Sequence, residues 1–251
     1  MTLSPDKIPP ETATFTRDAL ESVLDDRTYT PAGLVVFLSI RYGAEFDADA
    51  GLREGYSVRQ HTVMGLSQYA KHEDGTPLPL PMTRGLFRVM YGFHDIGKKE
   101  AIQNGNKRLQ HRYTRPIMEQ ALAALDYTDP EQRLAVATAG HDFVGNTLRR
   151  SSQGDARAIH DNALSLVQTA EKADVSAVDL LTLMTLLYKV DVSSYTEDAG
   201  GDYVYDPARG NPSMAFLFDF ETGEAGLHFA PAAQHIVQQL GERTSALAGA
   251  S

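Results

Sequence analysis

A histidine stands directly beside an aspartate at His94-Asp95. The pair offers an imidazole and a carboxylate from one point of the backbone, and these ligand types suit divalent Mn, Fe, Co, Ni or Zn. Three or four such ligands with open coordination positions make a hydrolytic or oxygen-activating centre. The same dipeptide recurs at His141-Asp142 and His160-Asp161, so the surrounding sequence must decide which pair binds a metal.

Further candidate ligands stand on either side of this pair. His61 lies upstream in a helix-like segment, and Asp191 lies downstream, directly after the strongly apolar stretch Val178–Val190. A carboxylate that follows a buried helix is costly unless it is paired or bound to a metal. The position of Asp191 therefore favours a role as a metal ligand.

The order of His61, then His94-Asp95, then Asp191 resembles the HD-domain superfamily of metal-dependent phosphohydrolases. Gly97-Lys98 matches a common extension of the His-Asp motif in that superfamily, and the match covers about residues 56 to 195. In its binuclear branches, the order His, His-Asp, His, His, Asp supplies two metals, with the paired Asp bridging them. This chain has the same order, which implies the metal ligands His61, His94, Asp95, His111, His141 and Asp191.

The resemblance implies one or two divalent metals per chain, drawn from Mn, Fe, Co, Ni, Zn and Mg. If one metal binds, His111 is expected to act as a general acid instead of a ligand. Asp142 follows His141 and could orient that imidazole as a hydrogen-bond acceptor.

Hydrolysis of a phosphate ester is the activity that the resemblance implies first. Metal-activated water would attack phosphorus, while Asp95 orients the water, Lys98 binds the phosphate and His111 protonates the leaving oxygen. The expected substrate is a nucleotide or a related small phosphomonoester. A di-iron oxygenase that uses the same six ligands on a small anionic substrate is the alternative. A catalytically inactive HD-fold regulator that binds a ligand is a second alternative.

A basic segment follows the His-Asp pair. Between residues 98 and 115 only Glu100 opposes the basic side chains, which are Lys98, Lys99, Lys107, Arg108, Arg112 and Arg115. Cations beside a metal motif could bind phosphate oxygens. We therefore expect the substrate to contact Lys98, Lys99, Arg112 and Arg115, and a solvated loop surface is the alternative explanation of the segment.

Composition limits the class of protein. The 251 residues are 42% hydrophobic and 22% charged, which are ordinary fractions for a folded globular chain. The 33 acidic and 23 basic residues give a net charge of -10, which opposes binding to long nucleic acid. The absence of cysteine excludes disulfides, thiolate catalysis and Cys-based zinc modules. No signal sequence and no membrane-length apolar run is visible, so we expect a cytoplasmic protein that does not enter the membrane. The chain could form a homo-oligomer.

Apolar periodicity and helix signals predict a mainly α protein, and the resemblance implies an HD-type helical bundle. We expect an N-terminal arm over residues 1–15 and one domain over residues 16–251. That domain includes a small C-terminal β-hairpin at about 203–230 and a final helix from Pro231 to Ala246. The other predicted helices are Thr16–Asp25, Thr30-Pro31 through Ile40, Ser57 through Tyr69, Gly85–Phe93, Pro116 to Leu125, Glu131 to His141, Asn162–Ala170 and Val178–Val190.

Overall fold

The computed structural model describes residues 14–50, 55–73, 77–194 and 229–249. Within these ranges the backbone forms α-helices and one 3₁₀ turn at Lys107–Leu109, and it forms no β-strand. The mainly helical fold predicted from the sequence is therefore confirmed. The helices are α1 (Arg17–Leu24), α2 (Pro31–Phe46), α3 (Val58–Glu73), α4 (Arg84–Phe93), α5 (Lys98–Gln103), α6 (Gln110–Ala124), α7 (Asp129–Ala139), α8 (Phe143–Ser152), α9 (Ala158–Ala173), α10 (Ala177–Ser193) and α11 (Pro231–Ala248).

Several helices begin at the side chains that the sequence marks as caps. Thr30 Oγ1 accepts a hydrogen bond at 3.0 Å from the amide three residues further on, and Pro31 occupies the first turn of α2. Ser57 Oγ accepts from the Gln60 amide at 3.2 Å, while Gln60 Oε1 accepts from the Ser57 amide at 2.9 Å. This reciprocal pair fixes the start of α3 and places His61 in its first turn.

The start of α6 differs from the prediction. The helix begins at Gln110 rather than at Pro116, which lies inside it. Its first turns pack on the turn after α4, where Thr114 Oγ1 accepts a hydrogen bond from the Gly97 amide at 3.1 Å and donates to His94 O at 3.3 Å. This tertiary contact stabilises turns that precede Pro116, so the helix starts upstream of the position that the proline predicts.

Other helix ends near the histidines also differ from the predictions. α10 continues to Ser193, so Asp191 lies in its last turn and not after it. α7 ends at Ala139, so His141 lies in the connection to α8. The short helices α5 and α8 are not predicted, because each has too few turns to show a clear apolar period.

Two predicted segments fall on the undescribed parts of the chain. The hairpin at about 203–230 lies outside the described residues except for its last two positions, and no strand in the described ranges supports it. The N-terminal arm lies outside them apart from residues 14 and 15. The fold that positions the histidines is therefore built from helices.

Two hydrophobic clusters hold these helices together. Buried residues of α1 to α4, α6 and α7 form the first cluster, and those of α8, α9, α11 and the end of α7 form the second. α10 contributes to both clusters, for example Leu186 and Val190 to the first and Leu180 and Met184 to the second. A helix enclosed in this way is apolar around its circumference. No described helix is long and apolar enough to cross a bilayer.

Candidate metal centre

Three helices bring four of the predicted ligands together. His61 comes from the first turn of α3, His94 and Asp95 from the turn after α4, and Asp191 from the last turn of α10. One ligand atom of each residue lies within 4.8 Å of the others. We call these four residues the ligand group. Its two imidazoles and two carboxylates form a set that could hold a metal ion.

The distances within the ligand group fit the ligands of one ion. His61 Nε2 lies 2.8 Å from Asp191 Oδ1 and 3.2 Å from Asp95 Oδ2. His94 Nε2 lies 3.3 Å from each of the same two oxygens. Metal–ligand bonds of about 2.1 Å place neighbouring ligands about 3.0 Å apart in an octahedron and about 3.4 Å apart in a tetrahedron. The spacing of these atoms therefore suits a divalent cation.

Hydrogen bonds behind each imidazole determine which ring nitrogen faces the carboxylates. His94 Nδ1 lies 2.7 Å from Tyr91 O, and because a carbonyl can only accept, Nδ1 must donate. Ser194 Oγ donates to Asp191 O at 2.6 Å, so it must accept from His61 Nδ1, which lies 3.3 Å away. In both neutral rings the lone pair is therefore on Nε2 and faces carboxylate oxygens. Such a group of acceptors requires a cation or added protons between its members.

In the metal-free protein, protons compensate this buried negative charge. Burial lowers the pKa of His94, but the carboxylates of Asp95 and Asp191 outweigh burial and raise the pKa to about 10. Burial raises the pKa of Asp95, yet the charges of His94 and Lys98 hold it well below its usual range. The pKa of Asp191 is also lowered, because hydrogen bonds from His61 and His94 outweigh its burial. The ligand group thus favours positive charge at its centre, as a cation site must.

Two further side chains hold Asp95. Lys98, a residue only 4% exposed, forms an ion pair through its ammonium group with Asp95 Oδ2. Gln110 donates from Nε2 to Asp95 Oδ1 at 2.9 Å. Both carboxylate oxygens are therefore fixed, and Lys98 acts in this arrangement as a positioning residue. The contact of Lys98 with substrate stays a prediction, while Gln110 is a site residue that nothing in the sequence marks.

The aromatic ring of Tyr91, in α4, packs between His94 and α3. The rings of Tyr91 and His94 stack with their centroids 4.2 Å apart. Tyr91 Oη approaches α3 at Gly65, where an added Cβ atom would lie 1.7 Å from it. Glycine is therefore required at position 65 for the ring that positions His94 to fit.

A cavity of about 110 Å³ opens beside the ligand group, and we call it the metal cavity. It is lined by five of the six predicted metal ligands, which are His94, Asp95, His111, His141 and Asp191. His61 completes the ligand group from its fully buried side. Among the described residues, His111 and His141 are not part of the compact ligand group. A second metal bound by these two histidines therefore stays a prediction.

The two outer histidines have different partners. His111 Nδ1 lies 3.1 Å from Ala139 O, to which it donates, so Nε2 of the neutral ring carries the lone pair. Arg115 donates from Nη2 to His141 Nε2 at 3.1 Å. Burial lowers the pKa of His141 to about 4, and the charge of Arg115 adds to this effect. His141 is therefore neutral near pH 7, with one ring nitrogen bound to Arg115.

Asp142 and Tyr188 also line the metal cavity. Asp142 caps α8 by accepting from the Gly145 amide at 2.9 Å, whereas the sequence predicts that it orients His141. Burial raises the pKa of the Asp142 carboxyl. Burial and the charges of Asp142 and Asp191 also raise the pKa of Tyr188. The cavity therefore contains a phenol that stays protonated and can donate a hydrogen bond.

The helices place the predicted substrate-binding residues in different parts of the structure. Lys98 is buried against Asp95, and Arg115 reaches His141. Lys99 lines a separate cavity of about 340 Å³ at the end of α2, and Arg112 is exposed on α6. Neighbouring residues of an α-helix point about 100° apart, so a basic segment does not form one basic surface. Of these four residues, the structure brings Lys98 and Arg115 to predicted metal ligands.

The described residues thus combine an all-helical fold with two histidines and two aspartates that could hold a metal ion. Comparison of the chain with protein-family models, with curated proteins and with solved structures finds no match. The function of the site must therefore be inferred from its own chemistry.

Proposed function

We propose that this chain is a metal-dependent phosphohydrolase of the HD-domain type, in which His61, His94, Asp95 and Asp191 hold a divalent cation. The observation that carries the proposal is the convergence of two Nε2 atoms and two carboxylates within 4.8 Å. The order of these residues along the chain gives separate support, because it resembles the HD-domain superfamily. A mixed set of nitrogen and oxygen ligands favours Mn, Fe, Co, Ni or Zn over Mg, which prefers oxygen ligands.

The residues around the cation have separate tasks in this proposal. The cation, when bound, supplies Lewis-acid activation of water and of the phosphate group. Asp95, held at both oxygens by Lys98 and Gln110, orients the attacking water. His111, whose ring is fixed by its bond to Ala139 O, donates a proton from Nε2 to the leaving oxygen. These tasks need one cation. If a second cation binds His111 and His141, a bound water protonates the leaving oxygen in place of His111.

The proposed substrate is a small phosphomonoester such as a nucleotide. The metal cavity, at about 110 Å³, is smaller than the usual ligand pocket of roughly 300–1,000 Å³ and suits one phosphate-sized group. Arg115 donates to His141, which lines this cavity, and its guanidinium group is of the kind that binds phosphate oxygens. The net charge of -10 disfavours long nucleic acid as a substrate.

The test combines metal content with phosphate release on one sample. Protein purified without chelators is analysed for metal and then incubated with nucleotides and sugar phosphates in the presence of Mn²⁺, Co²⁺, Ni²⁺, Zn²⁺ or Mg²⁺. We expect at least one divalent metal per chain and phosphate release that Asp95→Asn abolishes. Two irons with oxygen consumption and no phosphate release would identify the oxygenase alternative. Binding of phosphorylated compounds without turnover would identify the inactive regulator.

A further inference from the structure

A second cavity, of about 530 Å³, lies next to the metal cavity between α6, α7 and α9. Its volume falls within the range of roughly 300–1,000 Å³ that is usual for ligand pockets. Apolar side chains of Val136 and Ala173 and polar side chains of Gln132 and Thr169 form part of its lining. The second cavity therefore has the size and mixed lining of a small-molecule site.

Three cations surround the second cavity without a carboxylate partner. They are Arg115, Arg133 and Lys172, and no ion pair among the residues that the structure describes includes any of them. Arg115 Nε is buried and has no hydrogen-bond partner among the described residues. Two carboxylates, Glu119 and Asp129, also line the cavity, so the cations are in excess. Unpaired cations around a cavity favour an anionic ligand.

The ring of His141 forms a wall shared by both cavities. His141 lines the metal cavity and the second cavity, and Arg115 donates to it while lining the second cavity. A substrate whose phosphate fills the metal cavity must place its remaining atoms elsewhere, because that cavity is small. The second cavity is adjacent and is large enough for them.

We propose that the second cavity binds a second anionic group, a phosphate or a carboxylate, of the substrate that is cleaved at the metal cavity. Arg115, Arg133 and Lys172 bind this anion, and Val136 and Ala173 contact the carbon skeleton between the two groups. The claim that the bound anion belongs to a substrate cleaved at the metal cavity rests on the proposed function. The claim that the second cavity binds an anion does not. The substrate class is thereby narrowed to small molecules that carry a phosphate ester and a separate anionic group.

Two exposed cations allow the site to be tested without disturbing the metal ligands. Arg133 and Lys172 are exposed, so the double variant Arg133→Gln/Lys172→Gln removes charge while leaving the core intact. Arg157→Gln is the matched control, because Arg157 is an exposed cation that precedes α9 and lies outside the lining of both cavities. Metal content is measured for all three proteins and is expected to be equal.

The first measurement is binding of inorganic phosphate to chelator-treated protein by calorimetry. We expect Kd to rise about tenfold in the double variant, because two charge-assisted contacts are lost, and to be unchanged in Arg157→Gln. Absence of binding to the wild type, or equal Kd values in all proteins, overturns the anion site. This measurement needs neither metal nor turnover, so its outcome is independent of the proposed hydrolysis.

The second measurement compares KM for a sugar bisphosphate with KM for the matching monophosphate in metal-loaded protein. The double variant should raise KM for the bisphosphate about tenfold and leave KM for the monophosphate unchanged. If both compounds are hydrolysed and the double variant has the same KM values as the wild type, the second site is overturned and the proposed hydrolysis stands. Free phosphate that changes monophosphate turnover in the wild type but not in the double variant would show a site for a separate effector. That result would contradict a shared substrate.

Discussion

His61 Nε2 and Asp191 Oδ1 lie 2.8 Å apart, although 130 residues separate them along the chain. Because Ser194 accepts from His61 Nδ1, the neutral ring presents a lone pair to a carboxylate oxygen. Two acceptors at this distance repel each other unless a cation or a proton lies between them. His94 stands in the same relation to Asp95 and Asp191, so four acceptors meet at one point.

Replacement of Asp191 should remove metal binding. Asp191→Asn keeps the shape of the side chain but removes one negative charge from the ligand group. We expect metal affinity to fall about 100-fold or more, together with loss of phosphate release. Metal content after dialysis, measured by mass spectrometry, checks this.

Asp179→Asn is the matched control, since Asp179 lies in the first turn of the same helix and outside the ligand group. Its metal content should equal that of the wild type. Retention of metal by Asp191→Asn at the level of Asp179→Asn would remove Asp191 from the set of ligands.

Ser194 should influence the metal through His61. Ser194→Ala removes the acceptor that fixes the Nδ1 proton of His61, so the other tautomer becomes available and the Nε2 lone pair is no longer fixed on the cation. Loss of such a supporting contact typically lowers metal affinity about 10-fold to 100-fold. Competition with a metal indicator dye measures the change.

The neighbouring serine provides the control for this variant. Ser193 Oγ donates to Val190 O at 3.1 Å and makes no such bond to His61. Ser193→Ala should keep wild-type metal affinity. Equal losses in both serine variants would show that the helix end matters and that the bond to His61 does not.

Gly65 should tolerate no side chain. An added Cβ would meet Tyr91 Oη at 1.7 Å, so Gly65→Ala must displace the ring that stacks on His94. We expect a loss of about 1–3 kcal/mol in the free energy of unfolding, as overpacking usually costs. Gly43→Ala in α2 meets no atom within 4 Å and should gain about 0.5–1 kcal/mol from better helix propensity. Urea denaturation distinguishes the two, and equal stability of the variants would contradict the close approach of Tyr91.

Metal binding should release protons and strengthen as pH rises. The pKa of His94 is raised from 6.5 to about 10 in the metal-free protein, because the effect of its two carboxylates exceeds that of burial. The ring is therefore protonated at pH 7, and a metal must displace that proton from Nε2. Between pH 6.5 and about 9, below the folded pKa, Mn²⁺ affinity should rise about tenfold per pH unit for each proton displaced. Calorimetry in buffers of different ionisation enthalpy counts the protons, and release of none would be inconsistent with His94 as a ligand.

The ligand group could be predicted because the order of His61, His94-Asp95 and Asp191 resembles the HD-domain superfamily, and some of these positions carry signals of their own. His94-Asp95 follows an apolar helical stretch, and Asp191 follows one of the most apolar stretches of the chain, where an unpaired carboxylate would be costly. The helix starts at Thr30 and Ser57 are local, since each depends on a side chain and an amide three residues away.

Contacts made across the fold could not be predicted in this way. Gln110 reaches the site only because α6 packs beside the turn after α4, and a lone glutamine has no distinctive spacing. The sequence predicts that the basic segment faces one substrate, but helix geometry turns Lys98 inward and Arg112 outward. The start of α6 at Gln110 depends on the bond between Thr114 and Gly97, which is a tertiary contact.

Anomalous diffraction from crystals of the protein loaded with Mn²⁺ tests the central claim most directly. The ligand group predicts an anomalous peak about 2.0–2.3 Å from His61 Nε2, His94 Nε2 and a carboxylate oxygen of both Asp95 and Asp191. Well-ordered side chains of these four residues with no anomalous peak among them, or a peak held by other residues, would contradict the metal centre.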